Sequence, residues 1–292
     1  NKAMTRVLVF GYGFIGAAFA ALCRARGYSL SATARTAEKR TWLAGQGIDA
    51  VDPLSPQLSD IAAQADLILI TPAPDDAGCP AFTALEATLR QAPRQWLGYL
   101  STTGVYGDRG GGWAFEDQPL TPLSTEGRRR VQAETQWLSL SAQHDVAVFR
   151  LPGLYGVGRS AIERLRDGTA RRIHKPRQVF SRLYDTDCAD ALLRSADRRR
   201  AGAVYNLCDD EPAPADAVLV WAAQTFGFVV PPEIPFDAPD LSPGMRRFYA
   251  ENKRVSNALA KAELGWRPAF PTYREGLREV WRLVRNVSVI PH

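Results

Sequence analysis

An apolar run, Arg6-Val7-Leu8-Val9-Phe10, breaks at Gly11-Tyr12-Gly13-Phe14-Ile15-Gly16, after which Ile15, Ala18, Phe19 and Leu22 repeat at helical spacing. A buried strand, a glycine turn and an amphipathic helix in that order leave the chain few options. Gly11 permits the tight turn, Gly13 leaves room for a ligand to approach the backbone, and Gly16 lets the helix lie close to its strand. The free N–H groups at the positive end of that helix suit a phosphate. The pattern implies a dinucleotide site built from Gly11, Gly13, Phe14, Ile15 and Gly16.

The rhythm continues through the first half of the chain. Strands are expected at Ser29 to Ala34, Asp66 to Ile70, Trp96 to Leu100 and Val146 to Arg150, with helices such as Phe82 to Arg90 and Arg129 to Gln143 between them. Strands alternating with helices imply right-handed crossovers and a parallel sheet covered on both faces. Beyond about Pro152 the strands shorten and prolines crowd Glu211 to Pro243, while Thr272 and Glu275 form a capping-box pattern ahead of the last helix. The fold class expected is α/β, a Rossmann-type doubly wound parallel sheet with a smaller, interleaved C-terminal substrate lobe. Residues 4–155 would form the nucleotide domain, with returns to the sheet near 183–207, and residues 156–182 and 208–292 mainly the lobe.

Ligands of such a sheet bind at the carboxyl ends of its strands. Thr71 and Pro72 end the third expected strand, and Ser101 follows the fourth, so all three are candidate cofactor contacts. The end of the second strand selects the cofactor, because an acidic residue there would accept hydrogen bonds from a ribose 2′-hydroxyl. Ala34-Arg35-Thr36 stands instead, with Lys39 one turn on; Arg35 lies 19 residues after Gly16. A guanidinium suits a 2′-phosphate through charge-assisted hydrogen bonds. NADP(H) is therefore expected over NAD(H), with Arg35, Thr36 and Lys39 at the adenosine end.

Composition excludes several classes. No run approaches the roughly 18 apolar residues of a membrane helix, residues 1–30 show no signal-peptide pattern, and the four cysteines have no CxxC spacing. No metal and no disulfide framework are expected, and a reducing cytoplasm suits the chain. The net charge of +5 lacks any nucleic-acid-binding pattern and is read as an anionic cofactor and small-molecule substrate, with neither nucleic acid nor membrane as partner.

Four further segments carry a resemblance that covers nearly the whole chain. They are Ser101-Thr102-Thr103-Gly104-Val105-Tyr106-Gly107-Asp108, Arg150-Leu151-Pro152-Gly153-Leu154-Tyr155-Gly156, Arg182-Leu183-Tyr184-Asp185-Thr186-Asp187 and Val204-Tyr205-Asn206-Leu207. With the glycine loop they resemble the extended short-chain dehydrogenase/reductases, the NAD-dependent epimerase/dehydratase group. The resemblance implies a Ser/Thr, a Tyr and a Lys at the reacting centre, and homodimers are common among such proteins. The Ser/Thr falls on Thr102. Where Tyr-x-x-x-Lys should open a helix stand Glu126 and Arg130, with Arg130 and Glu134 forming an Arg-x-x-x-Glu pattern in its place. The acidic pair of dehydratases is replaced by Thr103-Gly104.

The candidate catalytic residues are thus Thr102, Glu126 and Arg130, the last also a candidate ribose contact. Arginine is a permanent cation and does not replace lysine as a proton handler. Tyr106, Tyr155, Tyr184, His144 and His174 remain as other acid/base candidates. Thr103, Tyr106, Tyr155, Arg159 and Arg182 are candidate substrate contacts, with Lys175 and Arg177 adding basic charge. Two functions stay open: an NADP-dependent oxidoreductase or epimerase acting on a polar, anionic carbonyl or sugar-like substrate, and a non-catalytic NADPH sensor or scaffold.

Overall fold

The computed structural model describes residues 3–287. Thirteen strands follow one another: β1 (Arg6–Phe10), β2 (Ser29–Thr33), β3 (Asp49–Val51), β4 (Leu67–Ile70), β5 (Trp96–Thr102), β6 (Trp113–Ala114), β7 (Asp145–Leu151), β8 (Gly153–Tyr155), β9 (Arg172–His174), β10 (Arg182–Tyr184), β11 (Ala203–Asn206), β12 (Glu233–Pro235) and β13 (Arg254–Val255). The helices are α1 (Phe14–Ala25), α2 (Ala37–Gly45), α3 (Leu58–Gln64), α4 (Pro80–Gln91), α5 (Thr125–Leu138), α6 (Ala161–Asp167), α7 (Asp185–Asp197), α8 (Ala215–Phe226), α9 (Pro243–Phe248), α10 (Ala258–Leu264) and α11 (Tyr273–Val284).

Seven strands form one sheet in the order β3-β2-β1-β4-β5-β7-β11, every neighbouring pair parallel. Alternation along the strands sorts side chains between two layers, as a pleated backbone requires. Val7, Val9, Leu67, Leu69, Trp96 and Phe149 pack on one face beneath α1 and α7. Leu8, Phe10, Ile68, Ile70, Leu97 and Tyr99 pack on the other with Phe82 and Trp137 of α4 and α5. The strand order reverses between β1 and β4, which opens the crevice a doubly wound sheet offers to ligands.

Element boundaries differ from the sequence expectation in instructive ways. The fifth helix runs over Thr125–Leu138 rather than 129–143, because the Ser124 hydroxyl accepts the Gly127 N–H at 2.9 Å and starts it a turn earlier. The edge strand β3 has three residues, too few for a periodic signal. The capping box at Thr272 is present, with Thr272 N–H donating to Glu275 and Arg274 N–H to the Thr272 hydroxyl.

The lobe has its own core, in which Tyr184, Val218, Leu219, Tyr273, Leu277 and Val280 are buried. Three small parallel pairs, β8 with β10, β9 with β12 and β6 with β13, form separate two-stranded sheets outside the seven-stranded one. Among the described residues no helix is long and apolar enough to cross a membrane. All four cysteines are buried and free.

Candidate functional site

The glycine loop is held from below by two threonines. The Thr33 hydroxyl accepts the Gly11 N–H at 2.8 Å, and the Thr71 hydroxyl donates to Gly11 O at 2.6 Å. Gly11 has φ +91°, a conformation that favours glycine, and a side chain there would run into Thr71 and Pro72. Gly16 is equally constrained, since a Cβ would lie 2.9 Å from Gly11 O. Gly13 is different: nothing lies within 4 Å of where its Cβ would sit. The start of α1 has no side-chain cap, so its first N–H groups are left for a ligand. A loop fixed beneath and open above fits a dinucleotide pyrophosphate. Phe14, Ile15 and Gly16 supply the first turn of that cradle.

Beyond β2 the cations are unequally engaged. The Lys39 ammonium lies over Tyr12 and Trp42, at 5.4 and 4.7 Å from the ring centroids. Arg40 donates to Ala34 O at 2.9 Å and pairs with Asp52 at 3.4 Å. Thr36 caps α2 by accepting the Lys39 N–H at 3.2 Å. Arg35 is exposed.

Thr102 ends β5, and its hydroxyl accepts the Gly104 N–H at 3.2 Å, leaving its own proton to be donated. It opens a cleft of about 550 Å³ that Thr103, Tyr155, Arg159, Arg182, Phe180 and Phe248 also line. Of the five sequence-derived substrate candidates, Tyr106 is not brought there. It is fully buried, donates to Asn206 Oδ1 at 2.6 Å and accepts from Arg150 at 2.9 Å. Burial pushes its hydroxyl up to about 12, so it serves the core.

The Arg-x-x-x-Glu pair on α5 faces the sheet. Arg130 donates to Leu100 O at 2.7 Å and reaches Tyr99 Oη at 3.3 Å. Glu134 accepts from Ser101 Oγ at 2.5 Å and takes a two-pronged contact from Arg150, at 2.8 and 3.2 Å. Side chains four residues apart share a helix face, and here that face ties α5 to β5. Ser101 is committed to this buried network. Glu126, in the exposed first turn of the same helix, is solvent-accessible.

Neither candidate histidine, His144 or His174, lines the cleft. His144 is buried, its Nδ1 accepting the Gln95 N–H at 3.1 Å and its Nε2 lying 2.7 Å from Leu89 O, which fixes the neutral Nε2–H tautomer. His174 sits on β9, 2.8 Å from Asp216 and 3.8 Å from Glu233. Tyr184 packs against Phe270 and Tyr155, with ring centroids 4.4 and 5.3 Å apart.

The inner wall of the cleft holds the least satisfied polar groups. Arg182 donates Nη2 to Ala213 O at 3.2 Å, but its Nη1 is buried with no partner among the described residues. Tyr155 Oη and Asp209 Oδ2 are orphaned in the same way. Burial pushes Arg182 down and the Tyr155 hydroxyl up. It raises the Asp209 carboxyl to about 7, although the Arg182 charge pulls the other way. Buried polar atoms without partners call for a bound group. Farther out, Phe180 and Phe248 stack at 4.4 Å with planes 9° apart, and Phe248 remains 56% exposed. Sequence reasoning missed Phe180 and Phe248 on the cleft and Asp209, buried beside Arg182, whose positions only the fold reveals.

No family model matches the chain. A solved structure of a functionally unknown conserved protein from Silicibacter pomeroyi is 40% identical, covers 96% of this chain and 99% of its own, and superimposes with a TM-score of 0.88. MoeE5 in complex with UDP-glucose and NAD is 22% identical over 97% of this chain and 100% of its own, with a TM-score of 0.80. The chain belongs to one family with the Silicibacter protein, within the fold of the extended short-chain dehydrogenase/reductases. A curated Streptomyces protein, 3-diazoavenalumate denitrifying reductase, is 30% identical over 162 residues, so that the match spans 51% of each chain.

The neighbours of this fold correct two expectations. MoeE5, a Bacillus anthracis dTDP-glucose 4,6-dehydratase and a Bacillus cereus UDP-glucuronic acid 4-epimerase were captured with NAD, so NADP is overturned as the expected cofactor. Arg35 misled because charge alone does not separate phosphate binding from stacking on an adenine, and Lys39 and Arg40 beside it are spent on internal contacts. The breadth of the expected substrate, a polar, anionic carbonyl or sugar-like compound, is corrected as well: neighbours of this fold include, by name, a dTDP-glucose dehydratase and epimerases of UDP-sugars rather than enzymes of a generic anionic carbonyl. A basic cleft without a defined acid/base was too coarse a signal to specify a substrate.

Proposed function

We infer that the chain is an NAD-dependent enzyme acting on a nucleoside-diphosphate sugar held in the cleft. The observation that carries this reading is the free Nη1 of Arg182, enclosed in a wall that runs from Thr102 to the stacked Phe180–Phe248 pair. A guanidinium fork with an unused donor matches a diphosphate. The exposed face of Phe248 offers a base a stacking surface. The UDP-glucose and NAD named for MoeE5 support both ligand classes.

NAD, when bound, supplies a hydride carrier; Gly11, Gly13 and the first turn of α1 would hold its pyrophosphate. Thr102 donates its hydroxyl proton to the oxygen on the reacting carbon, fixed for this by the Gly104 N–H it accepts. Glu126, at the position of the absent tyrosine, is exposed to solvent and does not line the cleft, so the group that takes up the proton of a sugar hydroxyl is to be sought among the residues that do. Thr103-Gly104 supplies no acidic pair, so oxidation or epimerisation fits the site better than elimination of water. A one-way reduction is the second reading. It is favoured by the missing tyrosine and by the reductase that matches half the chain. The two differ in bookkeeping, since epimerisation regenerates its cofactor and reduction consumes NADH.

Calorimetric titration with NAD, UDP, UDP-glucose and dTDP-glucose tests the reading. NAD and the nucleotides should each bind, and Arg182→Ala should weaken UDP by about thirtyfold while leaving NAD unchanged, the loss of one charge-assisted contact of about 2 kcal/mol. A parent protein that binds NAD but none of the nucleotides defeats it.

A further inference from the structure

Arg159 belongs to two places at once. It lines the cleft that contains Thr102 and Arg182, and its guanidinium carbon sits 4.3 Å from the centroid of the Phe14 ring. Phe14 is the first residue of α1, beside the open Gly13. One cation therefore stands between the phosphate cradle and the cleft.

Its backbone is fixed and its charge is free. Gly156 and Arg159 exchange both N–H···O bonds at 3.0 Å. Ser160 caps α6 by accepting the Ile162 N–H at 3.1 Å, and Gly158 N–H donates to Glu163 at 2.8 Å. Arg159 itself is exposed, and among the described residues it makes no ion pair and no side-chain hydrogen bond. Of the other arginines that line the cleft, Arg182 donates to Ala213 O at 3.2 Å, and Arg164 does not stack on the ring of Phe14. A planar cation stacked on a ring keeps its N–H edge available for anions.

We propose that Arg159 is a positioning residue that couples the two binding events, its guanidinium serving the dinucleotide pyrophosphate and the anionic part of the cleft ligand together. The inference rests on the NAD and nucleotide-sugar reading above. Either ligand recruits the guanidinium to one fixed place and so spares the other the cost of ordering it. Coupling of this kind is reciprocal: whatever factor UDP adds to NAD affinity, NAD adds to UDP.

NAD is titrated calorimetrically with and without saturating UDP, and UDP with and without saturating NAD. The parent should show mutual tightening of about fivefold or more. In Arg159→Ala both ligands should still bind, each a few times more weakly, with the mutual factor reduced to about one. Arg159→Lys keeps the charge without the flat stacking surface and should restore less than half of the coupling on a logarithmic scale. Circular dichroism and the melting temperature of the variants report the fold, which a solvent-exposed side chain should leave unaltered. Coupling in Arg159→Ala within twofold of the parent overturns the proposal, as does a parent that binds NAD and UDP independently; both outcomes leave the proposed function standing. A parent that binds NAD but no nucleotide overturns the function and this inference together.

Discussion

At the carboxyl ends of β1 and β2 the groups offered to a ligand are backbone N–H groups around an open glycine. In the cleft they are side chains: Thr102 from β5, Arg159 ahead of α6, Arg182 from β10 and Phe248 from α9. The first set comes from six consecutive residues. The second is drawn from elements almost 150 residues apart. Backbone geometry tolerates almost any neighbouring side chain, so the loop can be well formed while the cleft changes its chemistry. That is the condition of this chain, which keeps the glycine triad and Thr102 but has Glu126 and Arg130 where the family resemblance implies tyrosine and lysine. Polar satisfaction divides the same way. The glycine loop is tied down by Thr33 and Thr71, whereas Arg182 and Tyr155 on the cleft, and Asp209 buried beside Arg182, leave orphaned atoms.

The sharpest way to break this comparison is to fill the space above the loop. Gly13→Val introduces a side chain where the protein itself has nothing within 4 Å, so the fold should be retained and the melting temperature little changed. NAD affinity should fall by more than about a hundredfold, because the side chain takes the room the pyrophosphate needs. Normal titration of the variant with NAD would place the dinucleotide elsewhere.

In the cleft half the corresponding experiment is a pH titration of stability. Burial raises the Asp209 carboxyl from 3.8 to about 7. Between those values the folded protein holds a proton that the unfolded chain releases, so this group's favourable contribution is complete below pH 4 and is lost as pH rises through 7. Asp209→Asn cannot ionise. Its unfolding free energy should lack this decline and exceed that of the parent by about 4 kcal/mol at pH 8, the two converging near pH 4. Urea unfolding at pH 4, 6 and 8 measures it. Parallel pH profiles for the two proteins would show that Asp209 is not held in a desolvated site.

What could be read from the residues alone follows from how local each signal is. The Gly11–Gly16 loop and the alternation along β1, β4 and β5 are contiguous patterns, and the expected doubly wound sheet is the one found. The Arg130–Glu134 spacing was legible as a pattern, but its purpose was not. Only the strand beneath shows that Arg130 meets Leu100 O and that Glu134 meets Ser101 and Arg150. Tyr106 resembled a cleft residue by its nearness to Thr102, yet the turn after β5 rotates it into the core beside Asn206. Arg35 carried a real charge signal whose target lay outside the sequence. Asp209 and Phe248 had no local signature at all, because the partners that define them, Arg182 for the one and Phe180 for the other, lie far away in sequence.

Thr102 lies on the seam between the two halves, and its removal should have the smallest effect and the most specific one. Its hydroxyl receives the Gly104 N–H and has one proton to give. Thr102→Val keeps the shape and removes both roles, at a half-buried position where the 3₁₀ turn over Thr103–Tyr106 still supports the backbone. If the hydroxyl meets the substrate oxygen mainly as charge develops on it, kcat and kcat/KM should fall together by about tenfold, or about 1.4 kcal/mol, with KM nearly unchanged. NAD affinity should stay within twofold, since the cradle at α1 does not include this side chain. Thr102→Ser, which keeps the hydroxyl and drops the methyl group, should recover most of the rate. A rise in KM with kcat intact would mean that Thr102 only binds the sugar, and the reacting carbon would then have to be sought beside another group of the cleft wall.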